Sequence, residues 1–190
     1  MKMKMKINYK QVLFLIALYL VYIHIFGRGY IPYTPTIPIY PNNHSEVILV
    51  KEKIKSRTQD DVRFFYLTND SVAAAFLPYV NENEDDLNRE ASRHNGILLF
   101  LKFTINRPRP EQVDNSIKPI NKKTAMTPSY PAGHSYQAYL LYKYLRKKYP
   151  NKDAKLKEIA LRCDDCRVKA GLHYPSDGEF SRKIVDLLVS

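Results

Sequence analysis

The sequence is poor in residues that mark several common protein classes. It holds only two cysteines and six glycines. Two cysteines cannot build a disulfide-rich scaffold, nor a four-ligand zinc site by themselves. Glycine this sparse excludes a collagen-like repeat, and 12 scattered prolines exclude one long coiled coil. Only one long apolar run occurs and the mean hydropathy is -0.40, which excludes a polytopic membrane protein. No stretch alternates apolar with polar residues in the β period, and no internal repeat is visible. Aspartate and glutamate are missing from residues 1–27, where Lys2, Lys4, Lys6 and Lys10 carry the only acid–base charge.

What remains is an ordinary globular composition. The chain has 190 residues, of which 45% are hydrophobic and 26% charged, enough for one packed domain with a segment attached in front. The formal net charge is +11. With the four leading lysines set aside, 26 basic residues face 19 acidic ones, a net of +7. Such an excess favours anionic partners, whether phosphorylated small molecules, nucleic acid or a membrane surface. A coding bias toward Lys, Asn, Ile and Tyr would leave the same excess. No basic stripe with interleaved aromatics stands out, so nucleic acid is not expected as a partner.

The front reads as a targeting segment. Val12–Phe26 is apolar apart from His24 and follows the lysines. Fifteen helical residues reach roughly 22 Å, short of a hydrocarbon core of roughly 30 Å. A basic start with a short apolar run is the pattern of a secretory signal, with Gly27-Arg28-Gly29 as a weak cleavage site. Uncleaved, it is a short signal anchor, with residues 12–26 as a membrane tether and Tyr19, Tyr22 and Tyr30 at the interface. Residues 1–29 are therefore expected as signal peptide or anchor, and the rest as exported to a periplasmic, luminal or extracellular space. Pro32, Pro35, Pro38 and Pro41 then recur every third residue, the polyproline II period, so residues 30–42 read as an extended strap or linker.

From residue 43 to 190 the apolar spacing is helical. Helices are expected at Ser45–Lys55, after a Thr58/Asp61 capping box, at Val72–Leu77 capped by Asn69 or Asp70, and at Glu84–Asn106. Gly133–Tyr149, Lys152–Gly171 and Pro175–Val189 complete the set. The fold class is thus all-α, a bundle of about six helices. Pro108, Pro110, Pro119 and Pro128 interrupt Ile105–Tyr130, making it a long Pro-rich loop, and loops of that length are usually functional.

Three clusters flank that loop: Lys102 with Arg109-Pro110, Pro131-Ala132-Gly133-His134, and Arg167 with His173 and Asp177. A phosphate monoester dianion needs several fixed cations, and Lys102, Arg109 and Arg167 supply them. Gly133 opens a helix whose free N–H groups face an anion. His134 is placed to protonate a leaving oxygen. His173 attacks phosphorus through one ring nitrogen if the Asp177 carboxylate holds the other. Singly, each cluster is an ordinary helix end, turn or surface pair; their order and spacing together are hard to obtain by chance. Cys163 and Cys166 read as two unpaired thiols, with a one-turn disulfide or redox pair as the alternative. His44 and His94 lie outside the clusters.

The combination resembles the type 2 phosphatidic acid phosphatase superfamily, which includes class A bacterial acid phosphatases and vanadium haloperoxidases. That pattern is K-x6-R-P, then P-S-G-H, then S-R-x5-H-x3-D; here it spans residues 102–177, with Ala132 and Cys166 in place of its two serines. The resemblance implies an all-α core and a covalent phosphohistidine at His173, hydrolysed by water with no metal or cofactor. Vanadate is implied as an inhibitor or phosphate mimic. Ala132, Gly133, Lys102, Arg109 and Arg167 are implied as the phosphate pocket, with His173, His134 and Asp177 catalytic. The missing Ser hydroxyl at Ala132 implies reduced activity. Lack of several spans and the short first motif place the chain nearest the class A acid phosphatases, with a small phosphorylated substrate. The alternatives are an exported anion-binding protein with little or no turnover, and a lipid phosphate phosphatase.

Overall fold

Caps and apolar spacing account for most of the helices found. The computed structural model describes residues 8–26, 29–30 and 38–189, and among them are nine α-helices and no strand. The all-α class holds, with more and shorter helices than about six. The first, α1 (Tyr9–Phe26), contains the apolar run. Lys2, Lys4, Lys6, Gly27, Arg28, Pro32 and Pro35 lie outside the described residues. α2 (Asn43–Lys55) is capped by Asn42, whose side chain accepts from the His44 and Ser45 N–H groups. α3 (Gln59–Leu67) begins with the Thr58/Asp61 capping box expected of it.

Two expectations are corrected. Val72–Ala75 is a 3-10 turn rather than an α-helix, and its N-cap is Ser71, which makes no side-chain capping bond. Glu84–Asn106 is two helices, α4 (Glu84–Ala91) and α5 (Asn95–Ile105), separated at Ser92–His94. The acidic first turn and Asn83 cap serve α4 alone. α5 starts afresh on His94, and it leaves Ile97 and Leu99 exposed rather than in a buried half. Asn106 ends α5 in the left-handed region, where asparagine is tolerated. The Pro-rich loop contains one short turn of helix, α6 (Pro110–Val113), with Pro110 at the position where its missing N–H costs nothing.

α7 (Gly133–Lys148), α8 (Asp153–Lys169) and α9 (Pro175–Leu188) form the centre, with α7 packed on both of the others. Leu141 and Leu145 of α7 meet Leu156, Ile159 and Cys163 of α8 over Phe76 and Leu87. On the other flank, Leu140 and Tyr136 pack with Leu98 of α5 and Val185 of α9. Burying each such side chain stabilises the fold by about 1.5–3 kcal/mol. A third cluster joins Val47 and Val50 of α2 to Val168 and Tyr174. These three clusters fix the end of α5, the start of α7 and the α8–α9 turn against one another. Gly171, at φ +77°, closes α8 in a conformation that side chains avoid, and the turn delivers residues 172–174 to the interior.

Candidate active site

Each of the three clusters sits at a helix end, and the ends converge. Lys102 is in the last turn of α5, is buried, and its Nζ donates to the carbonyls of Pro128 (2.8 Å) and Ser129 (3.3 Å). Arg109 caps α6; its Nε donates to Thr127 O at 2.9 Å and its Nη1 to Leu172 O at 2.7 Å. Those carbonyl contacts hold both side chains in place. Burial pulls Arg109 down to about 10 and Lys102 well below its ordinary value, and each feels Asp177 pulling the other way.

His173 lies in the α8–α9 turn, almost wholly buried. Its Nδ1 donates to Asp177 Oδ2 at 2.9 Å, the geometry of an i,i+4 pair at the start of α9. With Nδ1 carrying the proton, Nε2 presents its lone pair, and Arg109 Nη1 lies 3.3 Å from it. Burial first, then Arg109, pushes His173 down to about 3, so the imidazole is neutral and nucleophilic at ordinary pH. Burial alone would raise Asp177, but the hydrogen bond from His173 and the charge of Arg107 hold it below the usual carboxylate range.

Asn69 ties the remaining members together. His134, the second residue of α7, places Nε2 at 3.0 Å from Asn69 O. A carbonyl only accepts, so Nε2 carries the proton there. Arg167, in the last turn of α8, donates through Nη1 to Asn69 Oδ1 at 3.3 Å and through Nη2 to Thr68 O. Its buried Nε has no hydrogen-bond partner among the described residues, a donor left for an anion. Burial, then Arg167, lowers His134 to about 3. Ala132 is the N-cap of α7, fully buried and without a side-chain capping bond, so the first N–H groups of α7 have no hydroxyl to satisfy them. A Cβ on Gly133 would stand 4.0 Å from Lys102 Cε, which puts the helix start beside that cation.

All eight residues singled out from the sequence therefore lie in one region. A cavity of about 200 Å3 opens from it between α5 and α7, lined by Leu98, Leu99, Lys102, Gly133, His134 and Gln137. Cys163 and Cys166 are free and buried, and burial pushes the Cys166 thiol up to about 11, so neither is a reactive thiolate. Among the described residues no group of three or more His, Cys, Asp or Glu is arranged for a metal.

Sequence reasoning missed several members. Arg107 precedes Arg109 with the same Arg-Pro signature, and counting from Lys102 selects only the second. The fold gives them different partners, Asp177 for Arg107 and the His173 Nε2 edge for Arg109. Ser129 donates to Asp177 Oδ2, and Thr68 and Asn69 hold Arg167 from across the fold. Nothing in their local sequence marks these three.

The fold is shared with a protein of known structure. In fold the chain is similar to the crystal structure of a transmembrane PAP2-type phosphatidylglycerolphosphate phosphatase from Bacillus subtilis. The TM-score is 0.57, with 20% sequence identity over 96% of this chain and 93% of that one. At that identity the likeness establishes the shared helical fold. No family model matches the sequence, and no curated protein does either.

Proposed function

We propose that this protein hydrolyses phosphate monoesters through a phosphohistidine at His173. The observation that carries the reading is the His173 imidazole, held by Asp177 at Nδ1 while Nε2 faces Arg109. Lys102, Arg109 and Arg167 neutralise the phosphoryl oxygens, and the α7 N–H groups at Gly133 and His134 complete the cradle. Nε2 forms the N–P bond as the P–O bond to the alcohol breaks. The departing oxygen takes a proton from His134. Water then attacks phosphorus while its proton passes to the now neutral His134, the N–P bond breaks with its electron pair returning to Nε2, and phosphate leaves.

His134 needs a second proton for that role, because Nε2–H is already committed to Asn69 O. The site alone holds His134 near 3. A bound phosphate dianion beside it reverses the sign of the local field and raises it, so the acid is armed by substrate. Arg167, whose charge adds to burial in lowering His134 in the free protein, pairs with the phosphate in the complex.

The test is turnover of p-nitrophenyl phosphate in EDTA. Hydrolysis inhibited by vanadate supports the enzyme. Vanadate binding without turnover supports the anion-binding alternative, for which the missing hydroxyl at Ala132 speaks. Between a small acid-phosphatase substrate and a lipid phosphate, the Leu98 and Leu99 walls favour the second. No described helix is long and apolar enough to cross a membrane. α1 nevertheless exposes Leu13, Phe14, Leu15 and Val21, and we read it as the signal or tether of an exported or membrane-attached domain that begins near residue 43.

A further inference from the structure

We propose that Arg107 is a positioning residue for this reaction: its guanidinium fixes the ionised Asp177 carboxylate, which holds His173 with Nε2 toward phosphorus. The inference rests on the hydrolase reading above and assigns a part to a residue outside the phosphate pocket.

The carboxylate of Asp177 is fully committed. Oδ2 accepts from His173 Nδ1 at 2.9 Å, from Tyr174 N–H at 3.0 Å and from Ser129 Oγ. Oδ1 accepts from Arg107 Nη1 at 2.7 Å. Without that fourth contact the carboxylate is free to rotate or to take a proton, and either change releases the imidazole. Arg107 has no exposed side-chain surface, yet it is held on every side. Nη1 also donates to Ser176 Oγ at 2.8 Å, Nη2 to Glu46 Oε2 at 2.6 Å, and Nε to Asn43 Oδ1 at 2.9 Å. The rings of Tyr174 and Tyr40 stack on it at 3.9 and 4.4 Å. So complete a set of partners leaves Arg107 no donor for a substrate phosphate, in contrast to Arg109 and Arg167.

The surroundings of Asp177 decide how much depends on Arg107. From its own turn come His173 and Tyr174; from the Pro-rich loop come Arg107, Arg109 and Tyr130. α5 contributes Lys102, α8 contributes Asp164, and Glu46 of α2 shares Arg107 with Asp177. Of the three cations, Arg107 is the one hydrogen-bonded to the carboxylate. Bound phosphate engages Lys102 and Arg109, which leaves Arg107 as the counter-ion of Asp177 during the reaction. Glu46, Asn43 and Tyr40 make the start of α2 and the end of the strap part of the same assembly.

Arg107→Gln and Arg107→Lys separate this role from phosphate binding. Arg107→Gln should lower kcat by about 30-fold or more while vanadate inhibition stays within about 3-fold of wild type. Its acid limb in kcat/KM should move up by about one pH unit or more, since the His173–Asp177 pair takes up a proton more easily once the Arg107 charge is gone. Arg107→Lys should restore the acid limb and recover part of kcat. Because the glutamine leaves Glu46 buried and unpaired, the double variant Arg107→Gln/Glu46→Gln is measured beside it. A folded double variant with wild-type kcat and acid limb overturns the proposal. So does loss of vanadate binding as severe as in Arg109→Gln, which would make Arg107 a phosphate ligand. Wild-type protein that binds vanadate but turns over no ester refutes the hydrolase reading itself, and the role of Arg107 with it.

Discussion

Ala132 stands at the N-cap of α7, where a hydroxyl would cap the first N–H groups and, in the proposed reaction, also donate to the phosphate. If catalysis lacks that donor, Ala132→Ser should raise kcat by roughly 10-fold, the equivalent of about 1.4 kcal/mol of transition-state stabilisation. Steady-state rates with a melting curve decide it: a higher Tm with unchanged kcat means the serine caps the helix and does nothing for the phosphate. His134 is tested by leaving group. His134→Ala should slow alkyl phosphate hydrolysis by roughly 100-fold or more and spare nitrophenyl phosphate, whose leaving oxygen needs little protonation. Equal losses on both esters would assign His134 to phosphate binding instead.

At the level of elements, the site depends on the approach of α7, α8 and α9. Asp164 of α8 accepts from Ser135 Oγ of α7 at 2.7 Å and pairs with Arg182 of α9, so one carboxylate joins the three helices. Gly178 lets α9 come that close, because a Cβ there would overlap the Asp164 carboxylate. Gly178→Ala should therefore cost about 1–3 kcal/mol and lower Tm by roughly 3–10 °C. Removing the obstacle in Gly178→Ala/Asp164→Ala should not restore stability, since Arg182 and Ser135 lose their shared partner. An unchanged Tm in the single variant would show that α9 tolerates a shift there. Helix identity was legible at this scale where a cap is local, as with Thr58 and Asp61. It was not legible at Ser92–His94, where no proline or glycine marks the break and the contact made there, His94 Nδ1 with the Tyr136 hydroxyl, is tertiary. The same limit hid the contacts that hold the site, since Glu46, Thr68 and Asn69 reach Arg107 and Arg167 across 61, 99 and 98 residues of chain.

For the whole molecule, burying two neutral histidines makes stability pH-dependent. His134 and His173 are both lowered from 6.5 to about 3. The unfolded chain binds protons that the folded chain refuses, so the contribution of these two residues should be constant above about pH 6.5 and fall as pH drops toward 3. The slope approaches roughly 1.4 kcal/mol per pH unit for each histidine. Thermal melts from pH 8 to 4 check this, and a Tm that is flat across the range would mean that the two rings are solvated. Placement in the cell is tested by fusing a reporter after Ser190: activity outside the cytoplasm is expected, and activity confined to the cytoplasm contradicts export. The eight candidate residues could be picked out by spacing because each motif is short in sequence, running at most from the end of one helix to the start of the next. Their convergence belongs to the packing of Leu140, Leu141 and Leu145 of α7 against both neighbouring helices.

The central claim is that phosphate is transferred to His173, and rapid-quench labelling tests it most directly. Wild-type protein mixed with a 32P-labelled monoester should yield one acid-labile, base-stable phosphoryl group per chain, mapped to the peptide containing His173. His173→Ala should give no label and no turnover. Label on His134, or undiminished label in His173→Ala, would contradict the account.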